Sequence, residues 1–258
     1  MASKTGKTYA SYYKNDLAVN QSSNTGVDAT TRAVHDGAGN SSSLSLSDDV
    51  LQVQPVNDDT TGAMLVKNSG GSNILAVDTT NSKVLAGASQ VSVNTLFKEM
   101  GLYDFTPAAG YHYPLVANTM HFETAFAADN DWGNGADPAT TLDVSGLTAQ
   151  ENAIAVYWYL ENNITLDSVR FMATADGSVT LNFHLFAYTL DTSSNHGDLS
   201  AGAVHANATV SATTAVKTGT FTLDTANIDA GKVVVGFVEN VTDTSDVSCS
   251  FNIKYHIR

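Results

Sequence analysis

Between residues 40 and 100 the chain alternates short apolar runs with clusters of Asn, Gly, Ser, Asp and Thr. The runs are Ser43-Leu44-Ser45-Leu46, Val50-Leu51-Gln52-Val53, Ala63-Met64-Leu65-Val66 and Ile74-Leu75-Ala76-Val77, trailed by Lys83-Val84-Leu85. Gly70-Gly71 and Thr79-Thr80-Asn81-Ser82 mark turns between them. Hairpins this short are marginal in water, whereas three chains wound together bury the same side chains against one another. The pattern therefore predicts a thin β stem completed by other copies, with a trimer as the simplest arrangement. The alternative is a small β subdomain folded onto the C-terminal half. Residues 1–39 show little periodicity and run into the turn formers Asp36-Gly37-Ala38-Gly39-Asn40, which predicts an extended arm with one or two strands.

One segment has apolar residues at helical spacing: Val93, Leu96, Phe97 and Met100, followed by Gly101, predict a short helix over 91–100. Pro107 and Pro114 among Tyr111, His112 and Tyr113 then predict a hinge. The chain so divides into an arm (1–39), a stem with helix and hinge (40–117) and a head domain (118–258). Longer strands are expected in the head, over 153–160, 164–175, 178–190, 203–212, 218–223, 232–238 and 247–257. Asp176-Gly177 has the composition of a two-residue hairpin turn. In the last strand Val247, Cys249, Phe251, Ile253, Tyr255 and Ile257 share one face, and Ser248, Ser250, Asn252, Lys254, His256 and Arg258 the other, so one side is core and one wet. Seven or eight such strands predict an all-β fold whose C-terminal half is a jelly-roll-like β-sandwich.

Composition agrees with that class. Only 15% of the 258 residues are charged, with Ser, Thr, Asn, Ala and Gly in their place, as in extended β structure with many tight turns. Twelve basic against 26 acidic residues give a formal charge of -14, a field that excludes a nucleic-acid partner. Residues 115–258 hold 16 of the acidic and 5 of the basic side chains, so the negative field belongs mainly to the head. Lys4, Lys7 and Lys14 with Tyr9, Tyr12 and Tyr13 make the first residues mildly basic, suited either to docking on an acidic partner or to simple solvation. Cys249 is the single cysteine, which rules out an intrachain disulfide. No run approaches the ~20 apolar residues of a membrane span, and the N-terminus lacks an apolar signal core, so synthesis in a cytoplasm without membrane insertion is expected.

Candidate chemistry is sparse. No Gly-x-Ser-x-Gly, His-Glu-x-x-His or Cys-x-x-Cys motif occurs, and the seven histidines are scattered, with His184 and His256 on polar strand positions that predict surface residues. No catalytic residue is assigned and no enzyme activity is expected. The most site-like stretch is 129–137, where Asp129, Asp131 and Asp137 offer the hard oxygens that Ca²⁺ prefers. It departs from the helix-flanked calcium loop at the fifth position (Gly133), at the sixth (Asn134) and at the twelfth, which lacks glutamate; a turn-rich acidic loop without a cofactor is the favoured reading. Tyr157, Trp158 and Tyr159 are candidate glycan contacts, because exposed aromatics stack on sugar rings. Strand alternation points Trp158 away from the two tyrosines, so at least one side of this cluster is core.

The phrases Ser11-Tyr12-Tyr13-Lys14-Asn15-Asp16-Leu17, Asp36-Gly37-Ala38-Gly39-Asn40-Ser41-Ser42-Ser43-Leu44 and Val77-Asp78-Thr79-Thr80-Asn81-Ser82-Lys83-Val84 give the first 115 residues their texture. In it they resemble the leading part of virion structural proteins of tailed bacteriophages, fibre-like or capsid-decorating. The resemblance implies a homotrimer in the virion, anchored through its N-terminal part to capsid or tail proteins and projecting the β-sandwich. The alternatives are an adhesin that binds host surface glycan and, last, a glycan depolymerase.

Overall fold

A computed structural model of the chain describes residues 16–20, 26–87, 91–93, 95–117, 132–146, 150–194 and 196–258. Over these the protein is all-β, and none of its helices is long and apolar enough to cross a membrane. It divides into two compact units, one ending at residue 94 and the other Thr95–Arg258.

In the first unit, β1 (Leu17–Val19), β2 (Arg32–Asp36), β3 (Ser41–Leu46) and β4 (Leu51–Val53) form one antiparallel sheet in sequence order. The strands β5 (Met64–Lys67), β6 (Asn73–Asp78), β7 (Lys83–Ala86) and β8 (Val91–Ser92) form a second. Short strands joined in order are what the turn residues dictate. The Asp36 carboxylate accepts the backbone N–H groups of Ala38 and Asn40, with Gly39 at φ 86°, and Asp78 accepts that of Asn81. The Asp36–Asn40 turn is thus a hairpin joining β2 to β3, and the expected arm boundary at residue 39 falls inside a sheet.

The second unit is a two-sheet antiparallel sandwich. Its strands are β9 (Thr95–Phe105), β10 (His112–Pro114), β11 (Trp158–Tyr159), β12 (Ile164–Ala175), β13 (Val179–Asp191), β14 (Asp198–Ala212), β15 (Lys217–Thr220), β16 (Thr222–Leu223), β17 (Asn227–Ile228), β18 (Lys232–Asn240) and β19 (Val247–Ile257). One sheet has the order β10-β18-β13-β14-β16, with β11 also on β18; the other has β15-β12-β19-β9, with β17 on β12. Between them lies an aromatic core: Phe183 sits 5.0 Å from Phe171 and 5.3 Å from Phe251, and Phe221 lies 4.8 Å from Phe251. The chain changes sheets at Phe221, so the single strand expected over 218–223 is two short ones, β15 and β16, in opposite sheets.

A third layer covers the outer face of the sheet that contains β13 and β18. Trp132, Leu142, Val144, Val156 and Tyr157 pack there on Phe186, Tyr188, Val233, Val235 and Phe237. The layer includes the 3₁₀ turns Val144–Gly146 and Gln150–Ala155, so the strand expected over 153–160 is reduced to β11. With both faces covered, β18 is buried along almost its whole length, which matches its unbroken run Val233-Val234-Val235-Gly236-Phe237-Val238.

Two further expectations are corrected. Within the segment predicted as a helix, Val91–Ser92 are β8, and residues 95–100 are the N-terminal part of β9, which is in register with β19 from His256↔Thr95 to Val247↔Phe105. Met100 and Leu102, two residues apart, enter the core, while Phe97 is 62% exposed. A ten-residue helix is marginal by itself, and the backbones of β7 and β19 supply hydrogen-bonding partners to β8 and β9 instead. Because β9 belongs to the sandwich, this unit begins at Thr95, upstream of the expected boundary. Asp176-Gly177 does not close a hairpin either: β12 and β13 lie in different sheets, neither residue has a positive φ, and the Asp176 N–H donates to Asp246 C=O at 3.0 Å.

Candidate functional site

On the outer face of the sheet, register aligns one polar row across three strands. Glu239 on β18 lies opposite Asn182 on β13 and opposite His112 on β10. His184, two residues beyond Asn182, shares their face. His112, His184 and Glu239 are all buried, and one ligand atom from each lies within 4.8 Å of the others. The two imidazoles meet edge to face with centroids 5.0 Å apart, and Phe237 and Phe186 wall the site.

The lid is the segment 132–140, and its path is tightly specified. Trp132 C=O accepts the Ala139 N–H at 2.8 Å, Ala139 C=O accepts the Tyr188 hydroxyl at 2.9 Å, and Thr140 C=O accepts the Gly202 N–H at 2.8 Å. Gly133 adopts φ 112°, and a Cβ there would lie 2.6 Å from the Ala139 nitrogen, so only glycine fits. Its carbonyl accepts both the backbone N–H of His112, at 2.9 Å, and His112 Nδ1, at 3.2 Å. Asp137 at the exposed tip brings Oδ1 to 3.6 Å from His184 Nδ1.

These partners fix the protonation pattern. A carbonyl can only accept, so His112 Nδ1 carries the proton, and Nε2 of the neutral ring presents its lone pair. That lone pair lies 3.8 Å from Glu239 Oε2 with no hydrogen-bond partner of its own among the described residues. Glu239 Oε2 accepts Asn182 Nδ2 at 2.8 Å, and Asn182 Oδ1 accepts the Thr209 hydroxyl at 2.8 Å, a relay that orients the carboxylate. Neither ring nitrogen of His184 has a hydrogen-bond partner among the described residues. The site is therefore electron-rich and buried, a donor set suited to a cation.

Burial pushes His184 down to about 4, reinforced by His112 and opposed by Asp137 and Asp224. Burial likewise lowers His112, against the raising effects of Glu239, the Gly133 carbonyl and Asp137. Above pH 6.5 His184 is neutral in the folded and unfolded chain alike. Between 6.5 and 4 the unfolded chain takes the proton and the folded chain does not, so stability falls with falling pH. In the presence of chelator this amounts to roughly 3 kcal/mol between pH 7 and 4. Denaturant midpoints across that window should show the loss in the parent and a flatter profile in His184→Gln; identical profiles would contradict the assignment.

The residues singled out from sequence fare unevenly. Asp129 and Asp131 lie outside the described residues. Asp137 lies beside an imidazole from a strand distant in sequence, with Oδ1 3.6 Å from His184 Nδ1. Tyr157 and Trp158 are buried: the Tyr157 hydroxyl donates to Gly197 C=O at 3.1 Å, and the Trp158 ring centroid lies 4.9 Å from that of Tyr255. Only Tyr159, 53% exposed, is open for stacking, at an open groove of about 810 Å³ shared with Glu161 and His196. His184 and His256 are not surface residues. The third layer covers the first; the second is buried beside Asp167, with Nδ1 3.1 Å from Oδ1. Asp167 sits at a bulge between Leu166 and Ser168.

The first unit presents a different kind of surface. In its β5–β8 sheet the cross-strand rows Met64–Val77–Val84 and Val66–Leu75–Ala86 share one face, and the row Leu65–Ala76–Leu85 lies on the other beside Ile74. Met64, Leu65 and Val66 are each 42% exposed, and Ile74 is half exposed. Across the described part of this unit, Val34 and Ala76 are the buried apolar side chains, whereas Leu17, Leu51 and Val93 are also open to solvent. No protein-family model matches the sequence, and no curated protein aligns with it significantly.

Proposed function

We propose that the chain is a non-enzymatic structural subunit of a virion surface, a fibre or decoration protein of the capsid or tail. It assembles as a homotrimer through its first unit, attaches to the particle by its N-terminal region and projects the sandwich outward. The supporting observation is the β5–β8 sheet, which carries apolar side chains on both faces and buries almost none of them within the chain. Soluble chains rarely expose such contiguous patches unless another surface covers them. Three copies bring three heads together, so weak contacts of each with a repetitive surface combine into high avidity.

The reading is tested by assembly. Deleting residues 1–15 leaves every described strand intact; full-length chain co-expressed with the capsid and tail proteins of its phage should co-purify with particles, and the deletion should not. Equal incorporation of the two would overturn N-terminal anchoring, and absence of the full-length chain from particles would overturn the virion assignment.

A further inference from the structure

We infer that His112, His184 and Glu239 bind a divalent transition-metal ion, Zn²⁺ by the chemistry of the donors, with Asp137 as the fourth ligand at the rim. The inference concerns the second unit alone and does not depend on the virion reading.

Four observations carry it. Two imidazoles and a carboxylate, all buried, converge from three adjacent strands of a rigid sheet. Ligand atoms around a tetrahedral ion at ~2.1 Å stand roughly 3.4 Å apart; His112 Nε2 and Glu239 Oε2 are already 3.8 Å apart, and the ligand atoms of the trio all lie within 4.8 Å of one another, so small side-chain adjustments close the site. The lone pair of His112 Nε2 faces a carboxylate oxygen with no hydrogen between them, and both ring nitrogens of the buried His184 lack a hydrogen-bond partner among the described residues. An arrangement of two acceptors facing each other in a buried site is costly unless a proton donor or a cation lies between them.

The fourth observation is the outer support. His112 donates its other ring N–H to a backbone carbonyl, and Glu239 is held by Asn182, which Thr209 holds in turn. Metal-ligating histidines and carboxylates are oriented in this way. Ca²⁺ and Mg²⁺ take oxygen donors and do not suit a site with two imidazoles. The neutral imidazoles of a site that disfavours protons are the form that ligates Zn²⁺. Through Asp137 the ion would join β10, β13 and β18 to the 132–140 lid, which makes it a structural clamp on the third layer.

The test uses the full chain, stripped with chelator and dialysed. Zn²⁺ titrated by calorimetry should bind at one ion per chain and raise the melting temperature of the second unit by roughly 5 °C at a hundredfold excess over Kd, whereas Ca²⁺ should leave it unchanged. Co²⁺ in place of Zn²⁺ should give the visible d–d bands of a low-coordinate nitrogen and oxygen site. His184→Gln should abolish both signals, and Asp137→Asn, an exposed change that leaves the fold intact, should weaken Zn²⁺ at least tenfold. Unaltered stoichiometry and affinity in a folded His184→Gln would place the ion elsewhere and overturn the site; unaltered affinity in Asp137→Asn would overturn the fourth ligand. If His184→Gln does not fold, the parent decides: neither a Zn²⁺-dependent rise nor Co²⁺ bands would refute the inference.

Discussion

Replacing Val66 and Val84 together by Asp should dissociate the assembled protein into single chains while leaving the sandwich folded. Both positions lie on the apolar face formed by the rows Met64–Val77–Val84 and Val66–Leu75–Ala86. In an isolated chain the change is mild, because Val66 is 42% exposed and an Asp there stays hydrated. In an assembly that covers this face, each carboxylate is desolvated without a partner at a cost of several kcal/mol. Two per chain therefore weaken association by at least about 4 kcal/mol, or roughly a thousandfold in the dissociation constant. Sedimentation of parent and variant at matched concentration reads the effect. A variant that keeps the parent's mass would show that this face is not the contact.

The second large effect concerns the sandwich. Phe183→Ala should lower its stability by roughly 3–5 kcal/mol. Phe183 has no solvent exposure and contacts Phe171, Phe221 and Phe251, which come from β12, from the crossing between sheets and from β19. The surrounding strands cannot collapse into the space, because Gly219 and Gly236 already bring backbone against this core: a Cβ on Gly219 would lie 2.5 Å from the Phe171 ring, and one on Gly236 3.1 Å from Phe251. For a unit of this size the loss corresponds to about 10 °C in melting temperature. A fall of less than about 2 °C would show that the two sheets do not depend on this aromatic contact.

The all-β class and several strand bounds were legible because they rest on local period. The strand expected over 164–175 is β12, and that over 247–257 is β19, whose alternation holds from Val247 to Ile253. What local period cannot show is which strands pair and what covers a sheet. Asp176-Gly177 has the composition of a hairpin, yet β12 pairs with β19 and β13 with β18, through contacts far apart in sequence. The helical spacing of Leu96, Phe97 and Met100 lost to pairing with β19 for the same reason.

The site was hidden by an assumption about layers. In a two-layer sandwich the parity of His184 on β13 places it in water; the covering segment around Trp132 turns that face into a second core. A signal was present: β18 reads as an unbroken apolar run, which in a strand denotes burial on both faces, so its neighbour β13 also had to be covered on both. Glu239 at the end of that run and His184 in the middle of Phe183-His184-Leu185-Phe186 were thus polar residues in buried strands. The residues that meet near Asp137 come from β10, β13 and β18, which only the register brings together.

Whether other copies of the chain complete the first unit is decided by the mass of the purified protein, measured by light scattering after size exclusion. Three chains of 27.1 kDa give about 81 kDa, which is the predicted result. A stable species at the mass of one chain would contradict it, because the apolar faces of the β5–β8 sheet would then remain open in solution.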